Sequence, residues 1–307
     1  MIVALVTKMF LLGSIMGLGY YLDRSGKISR QGLQALSTLV IHFLLPSLTF
    51  ATLIENFSRE MLHKAGPLPL LGFVTFAVGM VLGLATVRLV PMSSDARKTT
   101  IFLASVNNYG YLPLPLVYML YGQSGAALLF FQNLGCHLFF WTVGIWGLTG
   151  GAFSTKAFRN ILNNNFYALW GGLVLVLLGW QKYIPSVLVD LARLLGLGAI
   201  PLVMVVIGST LSEIGLGKGL PWKLLTLLSV VRLVIVPALM AGIIFVIPLP
   251  RTYQMICLLV ALMPCASSAP IFVKEYGGDK ELAAQAVLVT TLASLVTIPL
   301  GLAFFHP

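Results

Sequence analysis

The sequence predicts an all-α integral membrane protein with ten transmembrane helices, arranged as two inverted five-helix repeats. Three features lead to this fold class: the composition, the spacing of apolar stretches, and a set of residues that recurs in the second half. The 307-residue chain is 58% hydrophobic and only 9% charged, with a mean hydropathy of +0.97. A soluble domain carries about 25% charged residues, so this chain could not cover a soluble surface.

Membrane-spanning stretches follow one another along the whole chain. A helix that crosses the bilayer needs about 20 mostly apolar residues. The connections between these stretches are short and hold Gly, Asp, Asn and Lys, which are typical of turns. We number the predicted spans 1 to 10: 2–22, 31–54, 67–90, 98–120, 124–148, 166–181, 186–211, 222–247, 252–274 and 281–305.

An internal repeat divides the chain. At a common offset of 155 positions, Pro46, Pro115, Tyr121 and Gly122 recur as Pro201, Pro270, Tyr276 and Gly277. This recurrence predicts the duplication of one membrane unit. Residues 1–150 then form the first five-helix repeat, 151–165 the connecting loop, and 166–307 the second repeat. Because five is an odd number, the second repeat enters the membrane upside down.

Basic residues alternate between the loops. The loops after spans 1, 3, 5, 7 and 9 hold twelve, among them Lys156, Arg159 and Lys218, whereas those after spans 2, 4, 6 and 8 hold five. Positively charged loops favour the cytoplasm, so both termini are expected on the outer side of a plasma membrane, here a bacterial inner membrane. This pattern accounts for the net charge of +10. We therefore expect a lipid bilayer, and no nucleic acid, as the partner of the basic residues.

Spans 4 and 9 contain prolines and polar residues near their centres. Proline removes a backbone donor and clashes with the preceding turn, so we expect both helices to be broken. The freed amides that begin each second half-helix carry partial positive charge and favour an anion such as a carboxylate. The side chains expected to add hydrogen-bond donors there are Asn107, Asn108, Ser267 and Ser268.

Two ionisable residues within apolar spans are further candidates, because such residues are energetically costly in a membrane. Arg232 in span 8 could attract an anionic substrate, or bind backbone carbonyls freed by the break in span 9. His137 in span 5 could take part in proton transfer or satisfy an interior hydrogen bond. The sequence has no pattern typical of a metal site, and none of an intramembrane protease.

Four stretches carry a family resemblance: PSLTF at 46–50, NYGYLPLPLVYMLYG at 108–122, PALMA at 237–241 and ALMPCASSAPIFVKEY at 261–276. They resemble the auxin efflux carrier family, which includes plant PIN proteins and bacterial malate and malonate permeases. The last stretch is the most specific, since two prolines and Lys-Glu-Tyr all match. The resemblance covers essentially the whole chain.

This resemblance implies a scaffold made of spans 1, 2, 6 and 7, and a transport domain made of spans 3–5 and 8–10 in which helices 4 and 9 cross. It also implies an elevator-type movement and a homodimer formed through the scaffold. Residue by residue, it implies that Asn108 contacts the substrate, that Pro115 and Pro270 are the crossing prolines, that Thr49 is a scaffold hydroxyl facing the site, and that His137 lies near it.

The sequence therefore predicts a secondary transporter of small organic anions, with carboxylates as the expected class, and neither an enzyme nor a cofactor-binding protein. Two alternatives stay open: a sodium-coupled bile-acid-type symporter and a membrane receptor that does not transport. Span 3 lacks the acidic residue of the plant family members, so the coupling ion is left open as well.

Overall fold

The structure, a computed structural model, describes residues 2–151, 162–212 and 221–305. The described residues are helical apart from turns, short connections and one isolated β-bridge. The loop residues Lys156, Arg159 and Lys218 lie outside the described residues, as does most of the loop predicted over 151–165. In chain order the α-helices are α1 (Ile2–Arg24), α2 (Arg30–Leu39), α3 (Leu45–Asn56), α4 (Arg59–Ala65), α5 (Pro67–Thr86), α6 (Ser94–Ser105), α7 (Pro113–Phe139), α8 (Ile145–Leu148), α9 (Asn164–Leu178), α10 (Ser186–Leu197), α11 (Ala199–Ser212), α12 (Trp222–Val230), α13 (Val236–Val246), α14 (Arg251–Ala261), α15 (Ala269–Tyr276) and α16 (Lys280–Phe305).

Several of these helices join end to end. Three π-helical turns, Val40–Leu44, Phe140–Gly144 and Val231–Ile235, connect α2 to α3, α7 to α8 and α12 to α13. Within the described residues, six continuous stretches are long and apolar enough to cross a membrane. They are Arg30–Asn56, Arg59–Thr86, Pro113–Leu148, Ser186–Ser212, Trp222–Val246 and Lys280–Phe305.

Of the other four predicted spans, span 1 is a continuous helix of 23 residues, whereas spans 4, 6 and 9 are shorter or interrupted. Span 1 forms the helix α1, and span 6 forms the 15-residue helix α9. The helix predicted over 98–120 is interrupted after Ser105, and the one predicted over 252–274 is interrupted after Ala261. The all-helical membrane class is therefore confirmed, whereas the count of ten spans and their inverted arrangement stay predictions.

The boundary predicted between spans 4 and 5 is a kink and not a loop. Helix α7 runs from Pro113 to Phe139, and within it Gly122 has φ 65° and ψ −159°. Glycine adopts such a positive φ without the steric penalty of a Cβ atom. The chain therefore changes direction at Gly122, where two helical segments meet within the predicted boundary at 120–124 without an intervening loop.

Small residues allow close approach between helices, as is common in membranes. Helices α1 and α11 pack so tightly that a Cβ atom on Gly208 would lie 1.9 Å from the carbonyl oxygen of Met16, and one on Gly19 would lie 2.2 Å from that of Val205. Large apolar side chains such as Phe10 remain exposed on the outside of the bundle. Such an exterior suits a lipid environment, because lipid chains solvate apolar surface.

Candidate functional site

The interruptions of the two broken helices lie against each other. Asn107, between α6 and α7, forms an antiparallel bridge with Cys265, between α14 and α15. The amide of Asn108 donates to the carbonyl of Pro264 at 2.8 Å, and the amide of Ala266 donates to the carbonyl of Val106 at 3.4 Å. Non-helical backbone at membrane depth must find partners inside the protein. Each break supplies partners for the other.

Arg232 satisfies the carbonyls at the ends of the first half-helices. Its side chain is fully buried. Nη1 donates to the carbonyls of Ala104 (3.1 Å) and Ser105 (3.5 Å) at the end of α6. Nη2 donates to Ala261 (2.7 Å) and Nε to Met263 (3.2 Å), at and beyond the end of α14. The last carbonyls of a helix lack partners within that helix, and a cation is favourable there. Of the two roles considered for Arg232, attraction of an anionic substrate and binding of freed backbone carbonyls, its contacts correspond to the second.

Asn108 is held between the breaks. Its Oδ1 accepts hydrogen bonds from the amides of Tyr111 (3.3 Å) and Leu112 (3.2 Å), just before α7 begins. Its Nδ2 donates to the hydroxyl of Ser267 at 3.4 Å. Two of the backbone amides expected to bind an anion therefore donate to Asn108 instead. The second hydrogen of the Asn108 NH₂ group remains for a ligand.

Asn107 differs from the expected donor. Its side chain is fully buried, and its Nδ2 donates to the carbonyl of Val260. Its Oδ1 has no hydrogen-bond partner among the described residues. Because the nitrogen faces a carbonyl, turning the amide over would place two oxygens against each other. Asn107 therefore links the break between α6 and α7 to α14. The side-chain atom that it leaves without a partner among the described residues is Oδ1, an acceptor.

A cavity of about 370 Å³ lies beside the paired breaks. Its volume is within the range of small-molecule sites, roughly 300–1,000 Å³. None of the described residues that line it is Lys, Arg, Asp or Glu. The wall combines amides and hydroxyls with aromatic rings: Asn107, Asn108, Asn133, Asn163, Asn164, Asn165, Ser267 and Ser268 are polar, and Tyr109, Tyr111, Phe130, Phe140, Trp141, Phe166 and Phe272 are aromatic.

Five of the predicted site residues share this cavity: Asn107, Asn108, His137, Ser267 and Ser268. The other four are not among its lining residues. Thr49 is fully buried and donates to Oδ1 of Asn165, which does line the cavity, at 2.7 Å. Pro115 and Pro270 lie in the first turns of α7 and α15, and Arg232 lies behind the breaks.

His137 lies among aromatic groups on α7. Its Nδ1 is 3.4 Å from the hydroxyl of Tyr109. Its ring stacks on Phe166 with centroids 6.3 Å apart and meets Trp141 edge to face at 6.2 Å. His137, Phe166 and Leu134 also line a second, apolar groove of about 550 Å³, which lies between α4, α5, α7 and α9. These three side chains therefore separate the polar cavity from an apolar face.

The sequence reasoning missed one wall of the cavity. Asn163, Asn164 and Asn165 precede and begin α9, whereas the sequence predicts a connecting loop there. The run of three asparagines before an apolar stretch was an available signal, because Asn is a preferred helix N-cap. Asn163 does cap α9, since its Oδ1 accepts the amide of Phe166 at 3.0 Å. What the sequence could not show is that the same turn faces the breaks in spans 4 and 9.

Comparisons with known proteins identify the family of this chain. The profile of the family described as membrane transport protein matches residues 4–151 and 152–302. An uncharacterized transporter of Methanocaldococcus jannaschii is 26% identical over 289 residues, covering 92% of each chain. An uncharacterized transporter of Methanothermobacter thermautotrophicus is 28% identical over 288 residues, again covering 92% of each.

A plant protein is similar over a shorter region. Protein PIN-LIKES 1 of Arabidopsis thaliana is 25% identical over 114 residues, which is 36% of this chain and 24% of the plant protein. The family profile itself spans nearly the whole chain. With its apolar helices and its paired helix breaks, the chain belongs to the membrane transport protein family, the auxin efflux carrier family that its sequence motifs indicate.

Proposed function

We propose that this chain is a secondary transporter that binds a small organic anion, with a carboxylate as its charged group, in the cavity beside the paired breaks. One observation carries the proposal: α7 and α15 both begin at the border of the same cavity, next to Tyr111 and Ser268. The start of a helix carries partial positive charge, and two such ends favour an anion. This arrangement needs no Lys or Arg in the wall, and the described lining residues include neither.

The residues have distinct proposed roles. Asn108 donates its free N–H to the carboxylate, and Ser267 and Ser268 supply hydroxyls beside it. Arg232 lies behind the site and donates to the carbonyls at the ends of α6 and α14. The starts of α7 and α15, on the other side of each break, are then left for the anion. Pro115 and Pro270 fit the first turns of α7 and α15, where their missing N–H groups forfeit no intrahelical bond.

We further propose that transport follows an elevator-type movement between two inverted five-helix repeats, with a dimer formed through spans 1, 2, 6 and 7. The two profile matches divide at residues 151 and 152, beside the repeat boundary predicted from the offset of 155 positions. The bridge between Asn107 and Cys265 and the four contacts of Arg232 tie the breaks together as one unit. Such a unit supports movement as a rigid body.

The test begins with binding of a panel of carboxylates to the purified protein, followed by uptake of a bound acid into liposomes. Asn108→Ala should weaken binding about tenfold or more, since a hydrogen bond to a charged group contributes roughly 1.5–3 kcal/mol. Asn108→Asp keeps an oxygen to accept the amides of Tyr111 and Leu112 but removes the NH₂ group and adds charge. It should therefore abolish carboxylate binding in a protein that remains folded.

Asn56→Ala is the matched control, because Asn56 lies outside the cavity, where its amide donates to the carbonyl of Thr52 and accepts from the hydroxyl of Ser124. Carboxylate binding that is equal in the parent and in both Asn108 variants would exclude the proposed site. Binding without uptake would favour a receptor over a transporter. Uptake that requires sodium would favour the bile-acid-type symporter.

A further inference from the structure

The hydroxyl of Thr49 and the amide of Asn165 connect two helices at the edge of the cavity. Thr49 lies on α3 and is fully buried. It donates to Oδ1 of Asn165, on α9, at 2.7 Å. Asn165 lines the cavity. Since the oxygen of this amide accepts from Thr49, its nitrogen is the end left for a ligand.

The neighbouring asparagines are committed differently. The oxygen of Asn163 caps the amide of Phe166 at 3.0 Å, and the nitrogen of Asn164 donates to the carbonyl of His42 at 2.9 Å. Among the described residues, Nδ2 of Asn165 has no hydrogen-bond partner. Asn165 therefore offers the cavity an NH₂ group that Thr49 orients from another helix. Its helix packs on α3, whereas Asn108 lies in the break between α6 and α7.

We propose that Asn165 is a substrate-selecting residue, whose NH₂ group donates to a second, uncharged acceptor on the transported anion, and that Thr49 positions it. This inference rests on the proposed function, because it assumes that the carboxylate lies at the breaks. The second acceptor is uncharged because the described wall has no Lys or Arg side chain to pair with another carboxylate. The rings of Phe140, Trp141 and Phe272 in the same wall suit an apolar body. The substrate class is therefore a monocarboxylate with an apolar body and a carbonyl or similar acceptor.

Matched pairs of acids test this inference on the purified full chain. In each pair one acid carries a ketone and the other does not: phenylpyruvate and phenylpropanoate, benzoylpropanoate and phenylbutanoate, benzoylbutanoate and phenylpentanoate. The ketone lies at a different distance from the carboxylate in each pair. At least one ketone should bind roughly threefold to tenfold more tightly than its partner, as expected for one hydrogen bond between uncharged groups.

Variants then identify the residues responsible. Asn165→Ala and Asn165→Asp both remove the NH₂ group, and the second keeps an oxygen for Thr49, so the preference for the ketone should be lost in each. Thr49→Val should reduce that preference, because the amide is no longer held, and Thr49→Ser should restore it. Thr75→Val is the matched control. Thr75 is also fully buried, but its hydroxyl donates to the carbonyl of Leu71 in its own helix.

The outcomes separate this inference from the proposed function. If the acids bind the parent and no pair is discriminated, the role of Asn165 is excluded while the carboxylate site stands. A ketone preference that survives in both Asn165 variants also excludes it. A preference unchanged in Thr49→Val removes Thr49 as the positioning residue. If none of the acids binds the parent, the carboxylate site itself is excluded.

Discussion

Asn107 and Cys265 pair their main chains in an antiparallel bridge, although they belong to opposite halves of the sequence. The bridge joins the two places where a membrane helix stops being helical. Backbone groups without partners are costly inside a membrane, so each interruption is stable only in the presence of the other. The two breaks are consequently one structural feature and should respond together to substitution.

The first prediction concerns Pro115 and Pro270. Both lie in the first turn of a helix, where a proline forfeits no intrahelical hydrogen bond. The bridge and Arg232 hold the breaks, so replacing either proline with alanine should leave them open. We expect the free energy of unfolding to change by no more than about 1 kcal/mol and carboxylate affinity to stay within about threefold of the parent, as measured by thermal unfolding and ligand titration. A variant that is more stable yet fails to bind would show that the prolines keep the helices open.

The second prediction concerns the buried guanidinium. Arg232→Met removes every donor from the carbonyls of Ala104, Ser105, Ala261 and Met263. Each buried acceptor left without a partner costs about 1–3 kcal/mol. We therefore expect the largest loss of thermal stability among the variants considered. Arg232→Lys should be intermediate, because an ammonium lacks the planar fork of five donors.

Arg88→Met provides the control for the arginine series, since Arg88 is exposed beyond the end of α5. It should unfold at the temperature of the parent. If Arg232→Met were as stable as Arg88→Met, the four carbonyls would have other partners and the structural role of Arg232 would be wrong. If it stayed stable but lost only anion binding, the role in attracting substrate would be favoured.

The breaks were predictable from sequence because their signals are local. Asn108 is a polar residue within an apolar stretch, and Pro115 and Pro270 follow the two breaks closely in sequence. The capping of Tyr111 and Leu112 by Asn108 is also local, at a separation of three and four residues. The family resemblance directs attention to a substrate contact for Asn108, and it says nothing about which atoms of the side chain remain free.

The contacts that the sequence left unresolved join distant segments. Arg232 presented two roles of equal weight, and only its distances to four carbonyls distinguish between them. The partner of Thr49 lies 116 positions away on another helix. Hydropathy reports which residues are apolar but not which polar groups face each other inside the bundle. For that reason Asn165 could not be recognised before the structure.

The third prediction uses two glycines on α1. A Cβ atom on Gly19 would lie 2.2 Å from the carbonyl oxygen of Val205, whereas one on Gly17 would meet nothing within 4 Å. Gly19→Ala should therefore lower the unfolding temperature by forcing α1 and α11 apart. Gly17→Ala should leave it unchanged or raise it, because alanine favours a helix by roughly 0.5–1 kcal/mol over glycine. Equal effects of the two substitutions would mean that α1 and α11 do not pack at this distance.

The fourth prediction concerns orientation in the membrane. The twelve basic residues in one set of loops and five in the other predict that both termini lie outside. Ser25 follows α1, and Ser124 lies beside the kink at Gly122, one span away from the loop after α8. Both serines are exposed, and Ser→Cys is nearly isosteric. The native thiols, Cys136, Cys257 and Cys265, are buried and should give little background.

A maleimide that does not cross membranes is added to intact cells that express each variant. Ser124→Cys should react from outside, and Ser25→Cys should react only after the membrane is opened, because its loop carries the positive charge that favours the cytoplasm. The parent chain, treated in the same way, measures the background from the native cysteines. Reaction of Ser25→Cys in intact cells, with protection of Ser124→Cys, would reverse the orientation. The pairing of the two breaks would be unaffected by such a reversal, because it rests on contacts inside the protein.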